Sequence, residues 1–128
     1  EVLTDILDTP ISPELKPVDQ AGAITQQTED LVGPYELHDF VMYNFLAYGY
    51  RPSKIHYLAS VAFQGKYSHD EIKHWMTVFY RRFFQQQFKR NCMPDGPKVS
   101  RISLSPRGDW RMPSDAVASA WIKEIEQL

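Results

Sequence analysis

Cations crowd the stretch Gln85-Gln-Gln-Phe-Lys-Arg-Asn-Cys-Met-Pro-Asp-Gly-Pro-Lys98 of this 128-residue chain, and a second segment, Leu104-Ser-Pro-Arg-Gly-Asp-Trp-Arg-Met-Pro113, follows closely. Lys89 and Arg90 end a helix-compatible run, and the Pro94-Asp-Gly-Pro97 turn then fixes the backbone ahead of Lys98. Three cations are thereby predicted to stand close together, where a flexible tail would scatter them. Arginine recognises planar oxyanions through paired N–H bonds and lysine meets phosphate as a point charge, so the mixture suits a phosphate-rich ligand such as a dinucleotide. The plainer reading is that Lys89 and Arg90 complement the negative end of a helix dipole.

Other chemistry is harder to place. The four histidines, His38, His56, His69 and His74, fall on separate predicted helices or at a helix start, without the H-x-x-x-H or H-E-x-x-H spacing of a zinc site. No metal ligands and no catalytic residue are assigned. The single cysteine, Cys92, has no second thiol for a disulfide or a metal knuckle, which favours a structural thiol in a reducing cytoplasm. Arg107-Gly-Asp109 spells an adhesion tripeptide, but beside Pro106 and Trp110 it reads as a tight turn.

The elements that must position these residues are mostly helical. Val2, Leu3, Ile6 and Leu7 keep helical spacing before Pro10, so the chain reads as opening in the last turns of a helix and as a fragment of a longer polypeptide. Residues 9–33 carry three prolines, two glycines and Thr25-Gln-Gln-Thr28, and predict an irregular segment. Pro34 suits a first helical position, and Leu37, Phe40, Val41, Asn44, Phe45 and Tyr48 form a stripe ended by Gly49. A second helix from Pro52 turns Ile55, Leu58, Ala59 and Ala62 to the core before Gly65, completing a helical hairpin. Ser68-His-Asp-Glu71 has the form of a capping box and starts the longest helix. Ile72, Trp75, Met76, Phe79, Tyr80, Phe83 and Phe88 carry its stripe, widened by Phe84, toward an end near Asn91 or Cys92. Residues 98–105 alternate loosely through Val99, Ile102 and Leu104, which predicts at most a short extended segment. Ser114 is the expected N-cap of a terminal helix bearing Val117, Ala120, Trp121 and Ile125.

Composition bounds the answer. Hydrophobic residues at 43% exclude a disordered chain, and no apolar run approaches the roughly 18 residues of a membrane helix. A single water-soluble domain is expected. The net charge of −2 hides a division: residues 1–39 hold nine acids against Lys16, whereas residues 72–111 hold nine bases against Asp95 and Asp109. Two faces docking internally, an anion site and a nucleic-acid footprint all fit that split.

From Phe88 to Ala116 the wording closely resembles the C-terminal end of the synthetase module of bacterial glutamine-dependent NAD+ synthetases, in which FKR-x-C-x-PDGPKV precedes SLSPRGDWRMPSDA. Pro10-Ile-Ser-Pro-Glu-Leu15 resembles that family's P-T-A-[DE]-L element, and Gln26-Gln-Thr-Glu-Asp30 with Leu31-Val-Gly-Pro-Tyr35 its Q-T-[DE]-[DE]-x-L-G-x-x-Y stretch. The resemblance implies a mainly α chain: a helical C-terminal fragment of an α/β nucleotide-binding, adenine nucleotide α-hydrolase-like domain. Residues 1–33 would be an irregular segment on the ATP and substrate side, and residues 34–128 a helical region with the basic loop. It also implies an ATP-dependent C–N ligase that amidates deamido-NAD+ with ammonia from glutamine, using ATP and Mg2+. Ser12 would touch ATP. A basic pair that is commonly His-Lys would contact deamido-NAD+; here it reads Phe88-Lys89, so the lysine carries over, and Arg90 and Lys98 follow by neighbourhood. Phe88 departs from the pattern: it either stacks on a base or completes the helix's apolar face, and packing is the expectation. Glu29 and Asp30 are expected to order the start of a helix.

No S-G-G-x-D-S pyrophosphate loop and no Glu-Lys-Cys amidase set occurs in the chain, so this stretch is expected to be inactive alone and to bind no cofactor by itself. Its partners would be the upstream synthetase and glutaminase domains of the same polypeptide, in a homo-oligomer, with no membrane and no nucleic acid. The alternative is a small helical module that grips nucleic-acid phosphates or serves oligomerisation. Against nucleic acid, Trp75, Phe79, Tyr80 and Phe83 share one stripe with Ile72 and Met76, which is how a core is arranged and not a stacking platform.

Overall fold

The computed structural model describes residues 2–9, 29–98 and 100–128. Seven helices follow in order among them: α1 (Val2–Asp8), α2 (Glu29–Val32), α3 (Tyr35–Tyr48), α4 (Pro52–Ala62), α5 (His69–Gln85), α6 (Gln87–Asn91) and α7 (Ser119–Glu126). No strand occurs among the described residues, and Lys98 and 100–105 form bends and coil. A strand needs an edge to pair with. The described residues offer none, and Ser100 Oγ instead donates to the Ile102 carbonyl at 2.8 Å.

Helices α3, α4, α5 and α7 pack together as the body of the fold. Pro34 precedes α3 and Gly49 ends it at φ 63°, where a residue with a Cβ would be strained. Pro52 starts α4. At the head of α5 both arms of the capping box form: the Glu71 amide donates to Ser68 Oγ at 3.2 Å, and the Ser68 amide donates to Glu71 Oε2 at 2.7 Å. Gly33 has φ 94°, and a Cβ there would lie 2.5 Å from the Trp75 ring, so this close approach of α2 to α5 admits glycine alone without a shift.

The core centres on Phe45. Its ring meets Tyr80 edge-on at 5.3 Å, Phe83 at 5.4 Å and Trp110 at 5.5 Å between centroids. Trp121 on α7 covers Phe84 at 4.6 Å. Tyr80 is wholly buried with no hydrogen-bond partner for its hydroxyl among the described residues, and burial, aided by the nearby Glu124 carboxylate, pushes its phenol pKa up. Glu124 ties α7 to the start of α4: Ser53 donates to Oε1 from its amide at 3.1 Å and from its hydroxyl at 2.6 Å, and Arg51 pairs with Oε2 at 3.2 Å.

Three expectations are corrected. The long helix breaks at Gln86 instead of running unbroken to Asn91, and the carbonyl of Phe83, which α-helical geometry would give to the Gln87 amide, accepts from Arg90 Nη2. Helix α7 starts five residues after Ser114, whose hydroxyl accepts from Asn91 Nδ2 at 2.5 Å and which therefore belongs to the contact with α6. Phe88 is 54% exposed, because α7 covers Phe84 and extends no cover to the next turn; Ala62, Val117 and Ala120 are exposed as well. Residues 10–28, with Ser12 and Thr25 to Thr28, lie outside the described residues, as does Val99.

Candidate functional site

Helix α6 is one turn long, and its rotation is set by its two inward residues. Gln87 is fully buried; its Nε2 donates to the Met112 carbonyl at 3.1 Å, and its Oε1 accepts from Arg90 Nε at 2.9 Å. Arg90 lies one turn further on, with its guanidinium carbon 4.2 Å from the centre of the Phe83 ring and an Nη2 bond to the Phe83 carbonyl. Partial burial lowers its pKa, but a guanidinium stays charged at any physiological pH. Residues three apart share a helix face, so fixing Gln87 and Arg90 inward leaves Phe88 and Lys89 outward. Both are exposed.

The two segments singled out in the sequence are fastened to each other. Asp95 accepts from Arg107 Nε at 3.0 Å, and Arg107 Nη2 also reaches the Met93 carbonyl. Lys98 Nζ lies 2.6 Å from Asp109 Oδ2, which accepts from the Ser103 amide at 2.8 Å as well. Each segment thus gives one acid and one base to a pair of crossed ion pairs. The Lys98 ammonium, and after it the Ser103 amide, hold the Asp109 carboxyl below the usual carboxylate range. Residues 106–109 form a turn, as expected, in which the Gly108 and Trp110 amides bond the Ser105 carbonyl at 3.1 and 3.2 Å. Trp110 anchors it inward, 5.4 Å from Phe83 and 5.5 Å from Phe45 between ring centroids.

Of the three predicted cations, Lys89 faces solvent without a side-chain partner among the described residues, Arg90 faces inward, and Lys98 is paired. An external anion finds a free ammonium at Lys89 alone of the three. Asp95, Arg107 and Asp109 escaped the sequence reading as site-shaping residues. The signal was present: D-x-x-K in one segment is charge-complementary to R-x-D in the other. No group of three or more His, Cys, Asp or Glu side chains able to hold a metal ion exists among the described residues. No helix among them is long and apolar enough to cross a membrane.

With that geometry in view, known proteins supply a match. The chain is 46% identical to a glutamine-dependent NAD(+) synthetase of Mycobacterium leprae (strain TN) over 145 aligned residues, covering 99% of this chain and 21% of that protein. Glutamine-dependent NAD(+) synthetases of Mycobacterium bovis and Mycobacterium tuberculosis (strain H37Rv) are 43% identical over the same shares. The chain is similar along nearly its whole length to a part of these synthetases. It spans about a fifth of their length. No family model matches it. The resemblance drawn from Phe88 to Ala116 therefore extends through the bundle that carries α6.

Proposed function

We propose that this chain is the C-terminal helical part of a glutamine-dependent NAD+ synthetase and forms one wall of its deamido-NAD+ site. The observation that carries the reading is the outward, unpartnered Lys89 on a turn whose rotation is locked by Gln87 and Arg90, within a chain similar to such synthetases over 99% of its length. Lys89 would meet a substrate phosphate directly. Arg90 and Lys98 add positive potential while fastening α6 and the 93–109 loop. The whole enzyme would adenylate the nicotinate carboxylate with ATP, releasing pyrophosphate, and ammonia from glutamine would then form the new C–N bond as AMP leaves. An activated adenylate needs little covalent help, so positioning and phosphate stabilisation are the work asked of these residues. ATP, Mg2+, the nucleotide-binding sheet and the glutaminase belong to the rest of the polypeptide in this reading, as does Ser12 as an ATP contact. A reducing cytoplasm and assembly of several copies accompany it.

The test is Lys89→Ala in the full-length polypeptide. One charge-assisted contact is worth about 1.5–3 kcal/mol, so kcat/KM for deamido-NAD+ should fall roughly ten- to a hundred-fold with the melting temperature nearly unchanged. A small drop in melting temperature with unaltered kinetics would make Lys89 a helix-terminal cation and remove it from the site.

A further inference from the structure

Phe88 has no packing role within the described structure, and its surroundings explain why. The α5 stripe continues across the break at Gln86 through Gln87, which donates to the Met112 carbonyl, and Arg90, which donates to the Phe83 carbonyl and to Gln87. Phe84, one turn before Phe88, is covered by Trp121, whereas Phe88 is left 54% exposed. An exposed phenyl ring on a rotationally locked turn, next in sequence to a free ammonium, offers two chemistries on one outer corner: a π face and a point charge. Adjacent helical residues point about 100° apart, so a compact anion cannot use both. A molecule in which a sugar separates an aromatic ring from a phosphate spans such a corner.

We propose that Phe88 is a stacking platform for an aromatic heterocycle of the dinucleotide whose phosphate Lys89 meets. The proposal rests on the reading of Lys89 given above and assigns a specificity-determining contact beside it. An aromatic face accepts any flat ring, so Phe88 selects for the presence of a ring and for its reach from the phosphate, and the phosphate register is left to Lys89.

Phe88→Leu and Phe88→Tyr in the full-length polypeptide separate stacking from packing, since leucine keeps apolar bulk and tyrosine keeps the π face. Loss of one base-stacking contact predicts a roughly 5- to 150-fold rise in KM for deamido-NAD+ in Phe88→Leu, and tyrosine should restore it. KM for ATP and the melting temperature should stay near those of the parent. Nicotinate mononucleotide and AMP, used as competitive probes, identify the ring: the half whose inhibition weakens in Phe88→Leu is the one that stacks. If leucine leaves KM unchanged, or serves as well as tyrosine, stacking is wrong. A lowered melting temperature with unchanged KM would place Phe88 against another part of the polypeptide and overturn the proposal. Lys89→Ala, measured alongside, keeps the two readings apart: weakened binding there with unchanged binding in Phe88→Leu sinks the stacking contact and leaves the site standing.

Discussion

The helical body and the loop edge are held by different physics. In the body, Phe45 meets Phe79 and Tyr80 edge to face, Phe79 stacks on Phe83, and the half-buried Trp121 stacks on Tyr80, so that each ring shares its partners with the next. The edge from Met93 to Asp109 is largely exposed and is tied by two ion pairs, a carboxylate on the Ser103 amide and one inward tryptophan. Burial of apolar surface contributes far more per residue than exposed ion pairs do. The body should therefore carry the stability and the edge should carry shape. Substitutions that read out one region ought to leave the other region's readout alone.

Phe79→Ala is the strongest way to break that division. The ring is almost fully buried, stacks on Phe83 at 5.4 Å and meets His38 edge-on at 5.0 Å, so removing it opens a cavity in the body. The expected cost is about 3–5 kcal/mol in chemical denaturation. A cost below about 1 kcal/mol would mean that the body repacks freely and is not the rigid half of the comparison.

Glu124 lies between the two extremes, since it is a polar tie within the body. Burial pushes its carboxyl pKa up, but the Ser53 hydroxyl and amide together with Arg51 outweigh that, and the net pKa falls below the ordinary 4.5. A carboxyl whose folded pKa is depressed adds stability above its unfolded pKa and loses it as pH falls through the folded value. Stability should thus be steady near neutrality and decline below about pH 4.5, with Glu124 contributing to the decline. Because its carboxylate caps α4 from outside that helix, Glu124→Ala should cost about 1 kcal/mol at pH 7 and much less at pH 3. Equal loss at both pH values would show packing by the side chain, and not its charge, to be what matters.

The same contrast explains what could be read from the sequence. Local signals located the starts of α3, α4 and α5, because Pro34, Pro52 and the Ser68–Glu71 box act within one turn of themselves. The place of Lys89 in a helix near the end of the α5 stripe followed from the same local pattern. Contacts distant in the chain were not. Ser114 looks like an N-cap locally, but Asn91 claims its hydroxyl from 23 residues away. Arg90 reads as a surface cation until Gln87 and the Phe83 carbonyl are seen to hold it. Phe88 fits the α5 period and is left exposed by where α7 stops covering the stripe, which no pattern within α5 encodes.

The smallest expected effect tests the edge directly. Lys98→Met and Arg107→Met each remove one cation of the crossed pairs and leave Asp109 or Asp95 in contact with water. Asp95 is 95% exposed at its side chain and Arg107 is half-exposed, so this pair should contribute no more than about 0.2–1 kcal/mol. Lys98–Asp109 is somewhat better shielded, and the Ser103 amide keeps Asp109 partnered when the lysine is gone. Neither variant should shift the denaturation midpoint of the body much. Hydrogen exchange should respond instead: the Ser103 amide and the turn amides of Gly108 and Trp110 should exchange faster in both variants, while the amides of α5 keep their protection. Raised salt should speed exchange at the edge in the parent and change it less in the variants, because screening weakens contacts they already lack. If removing either cation lowers the protection of α5 as well, the edge is a structural member of the body, and the division between what carries stability and what carries shape fails.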